Sequence, residues 1–136
     1  MRKTISILFA VTALLFLFSS CTGKPLPDGF VREEVIADAT QTVKLLSDKK
    51  YDEVCETFSD QMKIALDADK LKEAFDSQLT SLGAFKEVTS SSTAGGEEAS
   101  IGAFATVVLV CKYDNGSAVF TISIDKENRI CGLYMK

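Results

Sequence analysis

Asn115-Gly116, set between two runs of alternating apolar and polar residues, constrains this chain more than any other feature. Asn-Gly is the strongest short-range hairpin signal, because the turns that match strand twist need residues tolerant of positive φ. Taken as a two-residue loop, it sets Tyr113 opposite Ala118, Cys111 opposite Phe120 and Leu109 opposite Ile122. A second tight turn spans Lys126-Glu127-Asn128-Arg129. With Glu127-Asn128 as its loop, Ile124 faces Cys131, Ile122 faces Leu133 and Phe120 faces Met135. Directly opposed residues share a face of the sheet. One face then gathers Ala105, Val107, Leu109, Cys111, Phe120, Ile122, Ile124, Cys131, Leu133 and Met135. The other gathers Thr106, Val108, Lys112, Thr121, Ser123, Asp125, Gly132, Tyr134 and Lys136. The first face must be covered; the second can meet water.

The cover lies upstream. From Phe30 to Leu82 the apolar residues fall at helical spacing, which predicts three amphipathic helices. The first carries Val35, Ala39, Thr42 or Val43, and Leu46. The second carries Tyr51, Val54, Cys55, Phe58 and Met62. The third carries Leu71, Phe75, Leu79 and Leu82, with Asp69 as N-cap and Gly83 as terminator. Phe85 to Thr89 reads as a first strand, and Ser90 to Ser100, rich in Ser, Gly and Glu, as a loop. Helices on one face of an antiparallel four-stranded sheet define an α+β domain.

The N-terminus has a different character. Arg2 and Lys3 precede an apolar run from Ile5 to Phe18, followed by Ser19-Ser20-Cys21. A basic start, an apolar run of about 7–15 residues and small residues at the cut make a secretory signal. Spanning a bilayer takes about 20 residues, so the run is short for a permanent transmembrane helix. The stretch Leu17-Phe18-Ser19-Ser20-Cys21 resembles the lipobox of bacterial lipoproteins, with Phe18 where Leu is usual. That resemblance implies acylation of Cys21 and residence on the outer face of a membrane, since two acyl chains anchor stably where one is marginal. The chain thus divides into a signal (residues 1–20), a lipidated tether (21–29) with Pro25, Pro27, Gly23 and Gly29, and one domain (30–136).

Losing Arg2 and Lys3 with the signal takes the formal net charge from −4 to −6. Such an acidic domain is a poor candidate for nucleic acid or for anionic headgroups, which reward Lys/Arg clusters. Four cysteines in an exported chain raise the question of disulfides. With Cys21 acylated, Cys55, Cys111 and Cys131 remain. In the register above, Cys111 and Cys131 lie farther apart than the roughly 4.4–6.8 Å between Cα atoms that a bridge spans. Cys55, on a core-facing stripe, can approach either or stay a small buried hydrophobe.

The chain has no histidine and no CxxC pair, which excludes the usual nucleophilic triads and argues against a zinc site. Gly95-Gly96 falls between expected strands rather than between a strand and a helix, so no phosphate cradle is expected. Asn115-Gly116-Ser117 matches a glycosylation sequon in form, and is read as a turn. No carboxylate lands on the apolar sheet face, where desolvation would raise its pKa into a useful range. Tyr113 is the hydroxyl placed nearest the rim of that face. No catalytic residues and no cofactor are assigned.

The mature chain resembles a bacterial family of small exported domains of unknown function, DUF3887, with a nuclear transport factor 2-like, cystatin-like α+β fold. The residues behind the resemblance are Leu45-Leu46 with Lys50-Tyr51-Asp52, Phe58-Ser59, Met62-Lys63, Gly83 with Phe85, Cys111 with Tyr113, and Ile130-Cys131-Gly132-Leu133. It spans Val35 to Met135 and implies a curved sheet wrapped over helices as a cone with a pocket inside. The candidate apolar pocket is Val107, Leu109, Cys111, Phe120, Ile122 and Leu133. The expected function is a lipid-anchored, non-catalytic binding module for an apolar ligand or protein segment. The rival is an interaction domain that docks a second copy, or an envelope partner, through the outer sheet face. An isomerase- or hydrolase-like enzyme is the third reading.

Overall fold

The computed structural model describes residues 24–136; the expected signal and Cys21 lie outside the described residues. Four helices precede four strands: α1 (Arg32–Ser47), α2 (Tyr51–Glu56), α3 (Asp60–Ala65), α4 (Ala68–Leu82), β1 (Phe85–Glu98), β2 (Gly102–Tyr113), β3 (Gly116–Asp125) and β4 (Ile130–Met135). The strands form one antiparallel meander in the order β1-β2-β3-β4, a curved and unclosed sheet. The α+β class is as expected; the helix count is not.

The second expected helix is two. Phe58 makes an isolated parallel bridge to Ile130, with the Ser59 N–H donating to the Ile130 carbonyl (2.8 Å) and the Ile130 N–H to the Thr57 carbonyl (2.8 Å). Those bonds take the Thr57–Ser59 backbone out of the helical ladder while keeping Phe58 1 % exposed. Periodicity survives across the break because Phe58 is buried either way. α3 restarts with Ser59 as N-cap, its hydroxyl accepting from the Met62 N–H at 3.4 Å. The cap of α4 is Asp67, accepting from the Lys70 N–H at 2.9 Å, rather than Asp69. α1 buries Val35, Ala39, Thr42, Val43 and Leu46, the face expected of it.

Ser90–Glu98 is strand, not loop. It pairs residue for residue with Gly102–Val110, Ser90–Thr93 against the apolar Val107–Val110, and this ladder overrides the weak strand preference of Ser and Gly. The glycines have steric reasons: a side chain at Gly95 would collide with the Pro25 carbonyl, and one at Gly96 with the Phe104 ring. β1 is an edge strand, and the Lys24 carbonyl accepts from the Gly95 N–H at 2.7 Å along that edge. The end of the expected tether is therefore docked on the sheet and partly blunts its exposed edge.

Both hairpins depart from the expected loops; the first departure leaves every face unchanged, and the second puts Ile130 in the core where Cys131 was expected. Between β2 and β3 the loop is Asp114-Asn115: Tyr113 pairs with Gly116, Cys111 with Ala118, Leu109 with Phe120 and Val107 with Ile122. The turn moves because Asp114 and Asn115 are tied to the end of α4. The Asp114 N–H donates to Ala84, the Asn115 N–H to Leu82, and the Ala84 N–H to an Asp114 carboxylate oxygen at 3.1 Å. The resulting shift is two residues, and only an odd shift would swap the faces. Between β3 and β4 the loop gains a residue, with Asn128 at φ 62°, and a bulge at Cys131 takes it back. Ile124 consequently pairs with Ile130 rather than Cys131, while Ile122–Leu133 and Phe120–Met135 pair as expected.

Candidate functional site

The inner sheet face is filled. Val107, Leu109, Cys111, Phe120 and Ile122 are all 0 % exposed and Leu133 is half-buried, packed with Leu46, Val54, Phe58 and Leu71 from the helices. These six residues come together as expected, but as a core: none of them lines any of the five clefts described for the molecule. Large side chains from both layers meet there in one buried cluster, and folded interiors are close-packed, so among the described residues this face reads as a core rather than a ligand site. Tyr113 is 2 % exposed rather than at an open rim. Its hydroxyl shares a 2.8 Å hydrogen bond with the Ser47 hydroxyl, and Phe85 meets its ring edge-on at 5.7 Å.

Cys55, Cys111 and Cys131 are free thiols. Burial pushes the Cys111 thiol up to about 11, and burial followed by the nearby Asp125 charge does the same for Cys131. The Cys55 thiol is raised too, by burial first and then by Asp52 and Asp67, and it lies 3.8 Å from the Leu66 carbonyl. Thiols held protonated in this way are poor nucleophiles.

Two polar clusters are built into the fold. Asp125, expected at a solvated turn, is 6 % exposed. Its carboxylate accepts from the Glu127 N–H (2.9 Å), the Arg129 N–H (2.9 Å) and the Arg129 guanidinium (3.2 Å). This is the Asx-type organisation of a hairpin loop, and Asp125-Lys126-Glu127-Asn128 is its signature in the sequence. A carboxylate whose oxygens are committed to the backbone and one arginine is structural. Among helices, the Tyr51 hydroxyl donates to Asp76 at 2.8 Å, and Lys49 pairs with Asp76 at 3.3 Å. Burial and the Asp76 bond push Tyr51 up to about 12, and the same bond, then Lys49, hold the Asp76 carboxyl below the usual range. Lys49 adopts φ 59° just after α1 and also donates to Thr80, so the cluster fastens α1, α2 and α4 together. Among the described residues no group of His, Cys, Asp and Glu is arranged to hold a metal ion.

What remains open is the other face and one groove. Val108, Val110, Val119 and Thr121 are half-buried on the outer face beside Tyr134, which is 61 % exposed. At the free edge of β1, where the tether returns toward α1, a groove of about 610 Å³ runs between Lys24, Leu26 and Arg32 on one side and Ser92, Thr93 and Thr106 on the other. Sequence reading did not find this groove, because its halves are separated by roughly sixty residues and meet only through the tether bond to Gly95. Among the described residues no helix is long and apolar enough to cross a membrane.

Comparison with known proteins agrees with this architecture. No curated protein matches the chain. An NMR structure of a protein from Ruminococcus gnavus ATCC 29149 superposes with a TM-score of 0.73 over 82 % of this chain and 96 % of that one. At 22 % identity it shows a shared fold. The family model described as a protein of unknown function, DUF3887, matches residues 39–133, from the middle of α1 into β4. With most of its helical layer, three whole strands and most of β4 inside that match, this chain belongs to the DUF3887 family.

Proposed function

We propose that the chain is a lipid-anchored, extracytoplasmic and non-catalytic interaction module with a nuclear transport factor 2-like fold, docking a protein through the outer face of its sheet. One observation carries the reading: Val107, Leu109, Cys111, Phe120 and Ile122 on the inner face are at 0 % exposure, while Val110, Val119, Thr121 and Tyr134 keep part of their surface open on the outer face, beyond the groove that Val108 lines. A half-exposed valine row with an aromatic at its margin has the composition of an interface centre, where Tyr is enriched and charge is depleted. The anchor rests on Leu17-Phe18-Ser19-Ser20-Cys21, and the short tether keeps the docking face within reach of other envelope proteins. An enzymatic reading finds little support: Asp125 is consumed by its turn, and the three thiols are held protonated.

The partner is a second copy in the simplest form of this reading. The test is the oligomeric state of a Thr22–Lys136 protein by light scattering and native mass spectrometry, alongside Tyr134→Glu. A dimer that Tyr134→Glu converts to monomer supports the reading; a monomer in which neither the wild type nor the variant captures an envelope protein sinks it. Acylation is read separately, as the mass added to Cys21 in chain purified from membranes. A reproducible apolar ligand retained by the folded domain would favour the small-molecule version and contradict the packed interior.

A further inference from the structure

We propose that the groove at the β1 edge binds the headgroup of an anionic phospholipid, holding the domain down on the bilayer to which Cys21 ties it. The inference rests on the anchoring just proposed for Cys21 and deepens it. Among the five clefts, this one holds two cations, Lys24 and Arg32, and no carboxylate. Three of the other four are lined by two or more acidic side chains, and the fifth holds a single lysine. In a chain with 19 acidic and 15 basic residues, a cleft of that sign is unexpected from composition.

Among the described residues Lys24 and Arg32 make no ion pair, a state they share with Lys44, Lys63, Lys72, Lys112, Lys126 and Lys136; what sets them apart is that they line one cleft together with no carboxylate. Arg32 opens α1, where the helix dipole disfavours positive charge, so local helix energetics do not explain it. The groove also matches the rest of such a ligand. Ser92, Thr93 and Thr106 supply hydroxyls suited to phosphate and glycerol oxygens, and Leu26 supplies an apolar wall. Its volume of about 610 Å³ falls in the ordinary range for small-ligand sites, about 300–1,000 Å³.

Position selects a lipid over a free phosphate ester. Cys21 and Lys24 are three residues apart, and at 3.8 Å per step their Cα atoms are separated by at most about 11 Å. The headgroup layers add about 10–15 Å to a bilayer, several ångströms per leaflet, so an acylated Cys21 brings Lys24 to headgroup depth. Each basic residue at an anionic surface is worth about 1 kcal/mol, so removing both should weaken binding roughly 20- to 30-fold. The net negative charge elsewhere leaves this edge as the orientation that an anionic leaflet tolerates.

The experiment uses the full chain purified from host membranes in a non-ionic detergent and read by native mass spectrometry. The probes are short-chain phosphatidylglycerol, short-chain phosphatidylcholine and glycerol phosphate. Selective retention of phosphatidylglycerol is expected. The double variant Lys24→Gln with Arg32→Gln should lose it roughly 20- to 30-fold, with its unfolding temperature unchanged. Equal retention of the two lipids, or a double variant that binds as the parent does, overturns the proposal. Glycerol phosphate bound as tightly as the lipid overturns the lipid assignment. The covalent mass on Cys21 appears in the same spectra, so an unacylated chain that still selects phosphatidylglycerol would refute the anchor and not the groove.

Discussion

Replacing Phe120 by alanine separates a packed interior from a ligand cavity more sharply than any other single change. Phe120 lies in the middle of β3, is 0 % exposed, and pairs with Leu109 on one side and Met135 on the other. All three belong to one cluster with the helical residues Leu46, Val54 and Leu71, so no open volume exists for neighbours to collapse into cheaply. Truncating a fully buried phenylalanine costs about 3–5 kcal/mol, from lost transfer energy plus the cavity left behind. With about 2.1 cal/mol/K of unfolding entropy per residue, each kcal/mol corresponds to roughly 4 °C for a domain of this length, so the midpoint should fall by about 13–21 °C. The assay is thermal and urea unfolding of Thr22–Lys136 followed by circular dichroism, with Thr121→Ala as control. Thr121 is the next residue along the strand and points to the uncovered face, so its truncation should cost under about 1 kcal/mol. If Phe120→Ala shifted the midpoint by no more than Thr121→Ala, the interior would not be packed and the filled-core reasoning would be refuted.

Asp125→Ala should lose about 2–4 kcal/mol in urea unfolding, since its carboxylate closes the β3–β4 loop through three hydrogen bonds and charged acceptors are worth about 1.5–3 kcal/mol each before rehydration. Tyr113→Phe keeps the ring against Phe85 and removes only the hydroxyl bonded to Ser47, so a loss of about 0.5–1.5 kcal/mol is expected from the same measurement. The raised Tyr51 makes stability fall with alkalinity: the unfolded chain releases this proton near 10 and the folded one near 12, so its contribution is complete below pH 10 and disappears as pH rises through 12. Tyr51→Phe should flatten that part of a stability-against-pH curve. It should also raise the Asp76 pKa, visible by carboxyl NMR titration. Cys111 should resist iodoacetamide in the native domain at neutral pH and react once urea unfolds it; labelling of Cys111 at the rate of a free thiol would contradict its burial.

Much of this protein was legible without coordinates, for a physical reason. Strand side chains repeat every two residues, so the partition of Val107, Leu109, Phe120 and Ile122 from Val108, Thr121 and Tyr134 is a property of the local chain. It withstood a two-residue register shift at Asp114-Asn115 and a bulge at Cys131. The stripe Val35, Ala39, Val43 and Leu46 is local in the same sense, because a helix needs only its own backbone to set which residues share a face. Cys21 and the stretch before it were likewise a matter of sequence alone and lie outside the described residues.

What the tertiary structure decided depends on partners distant in the chain. The helix breaks at Phe58 because Ile130 offers hydrogen bonds to its neighbours. Ser90–Glu98 becomes strand because β2 offers a ladder, and the hairpin turn moves because the end of α4 captures Asp114 and Asn115. The groove between Lys24, Arg32 and Thr106 exists only once the tether folds back onto Gly95. Whether an apolar face encloses a cavity or a core is a matter of volume. Periodicity counts which side chains point inward, and only their packing against Leu46, Phe58 and Leu71 shows that they leave no space between them.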